Sequence, residues 1–132
     1  MATFYEERFA THPGDAKNYD TTRLRKEYLI EKVMAPGEIH LTYSQYDRYI
    51  VGGAVPTKLP LKLESIDPLK SEFFCDRREI GIINVGGKGT VIVNHTRYEL
   101  NYKEALYIGR GSKEIVFESN MADVPAHFYI NS

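Results

Sequence analysis

From Glu72 onward the chain is a series of short apolar runs separated by turn residues, and this spacing restricts the fold more than any other feature. The runs are EFFCDRREIGIINV, TVIVN, TRYEL, EALYIG, KEIVFES and AHFYIN, with breaks at GGKG (86–89) and at Asn94-His95. No long helical period separates them, and β-branched and aromatic residues are frequent within them. A regular meander of such strands buries its apolar side only by packing on a second sheet or by closing on itself. The expectation is therefore an all-β sandwich or barrel. Ten tyrosines, six phenylalanines and ten glycines agree with that reading. A chain of 132 residues makes one domain, able to bury roughly two thirds of its unfolded surface.

Upstream the signals differ. The first nineteen residues, with THPGD at 11–15, show no period and read as an N-terminal arm or loop, leaving 20–132 as the barrel domain. In DTTRLRKEYL, the side chains of Asp20, Thr21 and Thr22 can accept from the first free amides of a helix, which predicts one or two helical turns. EYLIEKV and EIHLTYS, joined at Pro36-Gly37, read as a hairpin; Ile39, Leu41 and Tyr43 share one face, Glu38, His40 and Thr42 the other. DRYIVGGAVP reads as a strand ended by Gly52-Gly53 and Pro56, and Pro60 confines KLPLKLESI to a sheet edge.

Charge excludes some partners. Seventeen basic and eighteen acidic residues give a net charge of −1, so neither nucleic acid nor an anionic membrane exerts a general pull. Cys75 is the only cysteine, which rules out an internal disulfide framework, and no apolar run has the length of a signal core or a membrane span. A reducing cytoplasm is the expected compartment. The absence of tryptophan weakens a carbohydrate-stacking role.

REIGIINVGGKG sets a sharper question. In cupin barrels a closely spaced histidine pair is followed by a glutamate and, about seven residues beyond it, a glycine; a third histidine comes from a later strand, and the set suits zinc, iron or manganese. Glu79 and Gly86 fit the frame, but Phe73 and Cys75 stand where the histidines belong. KEALYIGRGSKE fits the second motif's frame, with Lys103 and Gly109 for the first glycine and the proline, Gly111 retained, and Glu114 for the histidine. The frame persists without its ligands, so no metal and no catalytic residue is expected in this chain. His12, His40, His95 and His127 are unpaired in sequence and read as surface or turn histidines.

Other stretches allow weaker readings. GGKG lacks the spacing of a phosphate loop and reads as a hairpin turn that uses glycine's positive φ. GRGSK sets Arg110 and Lys113 beside backbone amides and can hold a carboxylate, although a solvated turn is the simpler account. Arg77 and Arg78, flanking Asp76 and Glu79, read first as local charge pairing, yet an arginine here can also grip an acidic sugar bidentately. The candidate substrate-binding residues are Arg77, Arg110 and Lys113. Tyr43, Tyr46 and Tyr49 read as core or interface packing.

LRKEYLIEKVMAPGEIHLTYSQYDRYIVGGAVP, FFCDRREIGIINVGGKGTV and KEALYIGRGSKEIVFES together resemble the first half of the 5-keto-4-deoxyuronate isomerases, also called 4-deoxy-L-threo-5-hexosulose-uronate ketol-isomerases. The resemblance runs from about Asp20 to Asn131. It implies a cupin-type β-barrel or double-sheet jelly roll with a short N-terminal arm and helix. It also implies a hexameric enzyme that isomerises an acidic sugar, with zinc held by the family's second cupin, which this sequence does not include. On that basis this half is expected to serve scaffolding and assembly, to bind no zinc and to be inactive alone. Tyr43, Tyr46, Tyr49 and the terminal HFYIN are its expected self-association contacts. The competing reading is a free-standing, metal-less cupin that binds or senses a uronate.

Overall fold

The computed structural model describes residues 3–132. Ten strands form two sheets: β1 (Thr3–Arg8), β2 (Ile39–Ser44), β3 (Ile50–Ala54), β4 (Leu61–Lys62), β5 (Ile80–Asn84), β6 (Gly89–Val93), β7 (Thr96–Leu100), β8 (Ala105–Ile108), β9 (Ile115–Ser119) and β10 (Phe128–Asn131). One sheet has the order β1-β2-β3-β10-β5-β8 and the other β4-β9-β6-β7. Helices α1 (Pro13–Ala16) and α2 (Thr21–Tyr28) lie between β1 and β2 in sequence, and a 3-10 turn covers Asp67–Leu69.

The core lies between the sheets. Ile39, Leu41, Ile50, Ile80, Ile82, Phe128 and Ile130 from the larger sheet meet Leu61, Val91, Ile115 and Phe117 from the smaller one. The rings of Phe117 and Phe128 are 5.3 Å apart across the interior. Burying an aromatic ring in this way contributes about 3 kcal/mol relative to alanine.

The all-β double sheet, the helix and most strands match expectation, while several local readings are corrected. Thr3–Arg8 is a strand rather than part of a loop, paired in parallel with β2. Only Thr3 is buried along it, so hydrogen bonding rather than burial holds it, and no apolar alternation marks it in the sequence. The predicted helix occupies Thr21–Tyr28, with Asp20 as its N-cap accepting from the Arg23 amide at 2.8 Å. EYLIEKV does not pair with EIHLTYS. After α2 the chain runs across β3, where Val33 and Met34 lie so close that a side chain at Gly53 would strike them. Gly52 and Gly53 therefore sit inside β3 rather than ending it.

The second half is not a simple meander either. β6 and β7 form a hairpin, closed by Asn94 and His95 at φ values of 47° and 72° as a two-residue turn of that hand requires. β5, however, pairs with β8 and β10, whereas β6 pairs with β7 and β9, so the chain changes sheets at GGKG. None of Gly86, Gly87 and Gly89 has a positive φ. They are required because residues 124–127 press against them. Beneath this corner the fully buried Asn84 donates to the carbonyls of Gly87 (2.8 Å) and Leu100 (2.9 Å), and its Oδ1 accepts from the amides of Gly86 (3.0 Å) and His127 (3.2 Å). That side chain joins the sheet crossing, the end of β7 and the approach to β10.

Candidate functional site

The residues in the cupin frame do not converge. Glu79 is exposed and accepts from the Tyr107 hydroxyl at 2.6 Å. Glu114 lies 3.7 Å from the Lys62 ammonium and 4.0 Å from His95 Nε2. Cys75 is fully buried, and burial raises its thiol from 9.0 to about 12, which removes the thiolate needed for a ligand or nucleophile. Among the described residues no three of His, Cys, Asp and Glu gather in a way that could hold a metal ion. His40 bonds Glu38 at 3.0 Å and stacks on Phe4, and His12 caps α1 through the Gly14 amide.

The amides beside Arg110 and Lys113 are already engaged. Gly111 N–H donates to the Cys75 carbonyl at 2.7 Å. The amides of Lys113 and Glu114 both donate to Asn94 Oδ1, at 2.9 and 3.0 Å. Arg110 and Lys113 are exposed on this turn, with the Lys113 ammonium 6.0 Å from the Phe73 ring.

Arg77, also exposed, has a different setting. It lines a depression of about 420 Å³ together with Tyr43, Asp47, Arg48, Ser71 and Arg78, while Arg110 and Lys113 do not. The structure thus separates the three predicted residues and adds two arginines to one of them. Local charge pairing of Arg77 and Arg78 is not what forms: Asp76 accepts from the Phe73 amide and Glu79 from Tyr107. The Arg77 guanidinium donates to the carbonyl of Leu69 and to that of Lys70 at 3.3 Å. Arg78 donates through Nε to Ser132 Oγ at 2.9 Å and through Nη2 to the Arg48 carbonyl at 2.5 Å. Burial lowers the Arg78 pKa from its ordinary value; the adjacent Tyr43 opposes that shift and Arg48 adds to it.

Leu69, Phe74 and Tyr43 also line the depression, with Leu69 and Phe74 buried and Tyr43 6% exposed. Tyr43 belongs to the core, whereas Tyr46 and Tyr49 are 46% and 42% exposed. The sequence offered only a local RR pair; Arg48 joins it because Asp47 and Arg48, at φ values of 57° and 53°, turn the β2–β3 connection back. A larger groove of about 1160 Å³ lies between β1 and α2. It includes Arg8, Arg23 and Arg25, each within 3.0 Å of a carboxylate: Glu6, Glu27 and Glu31 respectively.

No family model matches the chain. The protein named 4-deoxy-L-threo-5-hexosulose-uronate ketol-isomerase from Formosa agariphila is 58% identical over 132 residues, all of this chain and 47% of that protein. The protein of the same name from Bacteroides fragilis is 55% identical over the same length and share. That from Halalkalibacterium halodurans is 48% identical over 127 residues, 96% of this chain and 46% of that protein. Among solved structures, the Schizosaccharomyces pombe Cnp3 cupin domain superposes with a TM-score of 0.51 at 12% identity, covering 71% of this chain and 59% of that one. That likeness places the double sheet in the cupin fold. Over its whole length the chain is a relative of the 4-deoxy-L-threo-5-hexosulose-uronate ketol-isomerases, and it spans about half the length of the curated relatives it matches.

Proposed function

We propose that this chain is the N-terminal cupin half of a ketol-isomerase that interconverts 5-keto-4-deoxyuronate and 3-deoxy-D-glycero-2,5-hexodiulosonate in cytoplasmic uronate breakdown, and that this half serves scaffolding and hexamer assembly. The observation that carries the reading is 58% identity along the entire chain to a protein of that name, combined with coverage of 47% of it. Ketol isomerisation moves a proton between carbons flanking a carbonyl, which takes a base and a group that stabilises the enediolate, often a metal. Phe73, the protonated Cys75 thiol, Glu79 held by Tyr107 and Glu114 beside Lys62 do not suit such a metal. No step of the chemistry is assigned to them, and zinc is assigned to the second half.

Assembly is supported by exposed aromatic side chains, including Phe9 (63%), Tyr46 and Tyr49, since aromatic residues are enriched at protein interfaces. The terminal HFYIN is not an edge contact: β10 lies between β3 and β5, with both sides paired. The test is to assay the 132-residue chain and the longer protein on 5-keto-4-deoxyuronate, with elemental analysis of each. The expected result is turnover and zinc in the longer protein only. Turnover by the 132-residue chain, or one zinc per chain lost on Glu79→Ala, overturns the reading.

A further inference from the structure

The unexplained feature of the molecule is the set of three guanidinium groups around the depression beneath the β2–β3 connection. Among the described residues, Arg48, Arg77 and Arg78 line it without any carboxylate oxygen within 4.0 Å of their nitrogens. Gathering three like charges around one depression is unfavourable unless something of opposite sign joins them. We propose that this depression binds a small oxyanion, a carboxylate or phosphate on a molecule of about monosaccharide size.

Two observations support it. Two of the guanidinium groups are already fixed: Arg77 by the carbonyls of Leu69 and Lys70, and Arg78 by Ser132 Oγ and the Arg48 carbonyl. A ligand therefore meets planar donors whose side-chain freedom is largely gone, which lowers the entropic cost of binding. The volume of about 420 Å³ falls within the range of sites for small molecules. Asp47 also lines the depression but pairs with none of the arginines, and it acts as a rim charge that weakens the site. The proposal does not rest on the isomerase reading, because it requires no chemistry at the depression.

Calorimetric titration of the protein with inorganic phosphate, galacturonate and glucose tests it. Saturable binding of phosphate or of galacturonate, with none of glucose, is expected, and the anion that binds identifies the source of the charge. Arg48→Gln is expected to weaken that binding at least about tenfold by removing one charged donor. Arg110→Gln, outside the depression, is expected to leave it unchanged. Arg48 is exposed and only its main-chain carbonyl serves Arg78, so the fold survives the change; an unaltered melting curve establishes this. Absence of saturable binding by both anions, equal binding of glucose, or equal affinity in Arg48→Gln overturns the proposal.

Discussion

Two regions rich in arginine lie on this molecule, and their arginines are treated differently. In the groove between β1 and α2, Arg8, Arg23 and Arg25 each face a carboxylate of the same chain. In the depression, Arg48, Arg77 and Arg78 face backbone carbonyls or solvent and no carboxylate. The first arrangement neutralises itself at an exposed surface, where such pairs contribute at most about 1 kcal/mol. The second retains its charge. The contrast teaches that a count of basic residues says little about ligand binding; whether the fold supplies their counter-charge says more.

The largest expected effect concerns the scaffold common to both regions. Asn84→Leu takes the side-chain partner from four backbone groups, one bond buried and three part-buried, and urea denaturation is expected to show a loss of about 3 kcal/mol. A loss below about 1 kcal/mol would show that the sheet crossing does not depend on this side chain.

Next comes the buried thiol. Cys75 is fully buried and its thiol is raised to about 12, so at pH 8 a thiol reagent is expected to modify it at least about a hundredfold more slowly than a free thiol. The pH dependence follows from the same shift. Because the folded pKa lies above the unfolded value of 9.0, the stabilisation from keeping the thiol protonated is complete below pH 9 and declines as pH rises towards 12. Cys75→Ala is expected to flatten that decline in a pH series of melting temperatures. Rapid modification of the native protein would mean that this part of the core is open.

Smaller effects separate the two regions directly. Asp47→Asn removes the rim charge of the depression and is expected to tighten anion binding about threefold. Arg25→Gln in the groove breaks an exposed pair with Glu31; it is expected to alter stability by no more than about 0.5 kcal/mol and to leave anion binding unchanged. A weakened anion affinity in Arg25→Gln would erase the distinction between the regions.

The elements legible in the sequence were those defined by burial. β5, β9 and β10 alternate because one face meets the core, and α2 was marked by the Asp20 cap. Elements held by contacts distant in sequence were not legible. β1 buries only Thr3, and the glycines at 86–89 answer to residues 124–127 rather than to a local turn. The same division applies to the candidate site. Arg77 and Arg78 were visible as a local pair, but the third arginine, Arg48, joins them only through the fold of the β2–β3 connection. Arg110 and Lys113 looked equivalent in sequence because the engagement of their neighbouring amides by Asn94 and Cys75 is a tertiary fact.

The most direct test of the contrast is to follow arginine side-chain Nε–H signals by NMR while phosphate or galacturonate is added, with both regions observed in one sample. The account predicts saturable shifts for Arg48, Arg77 and Arg78 and stationary signals for Arg8, Arg23 and Arg25. Shifts of similar size in both groups, or none in the first, would contradict it.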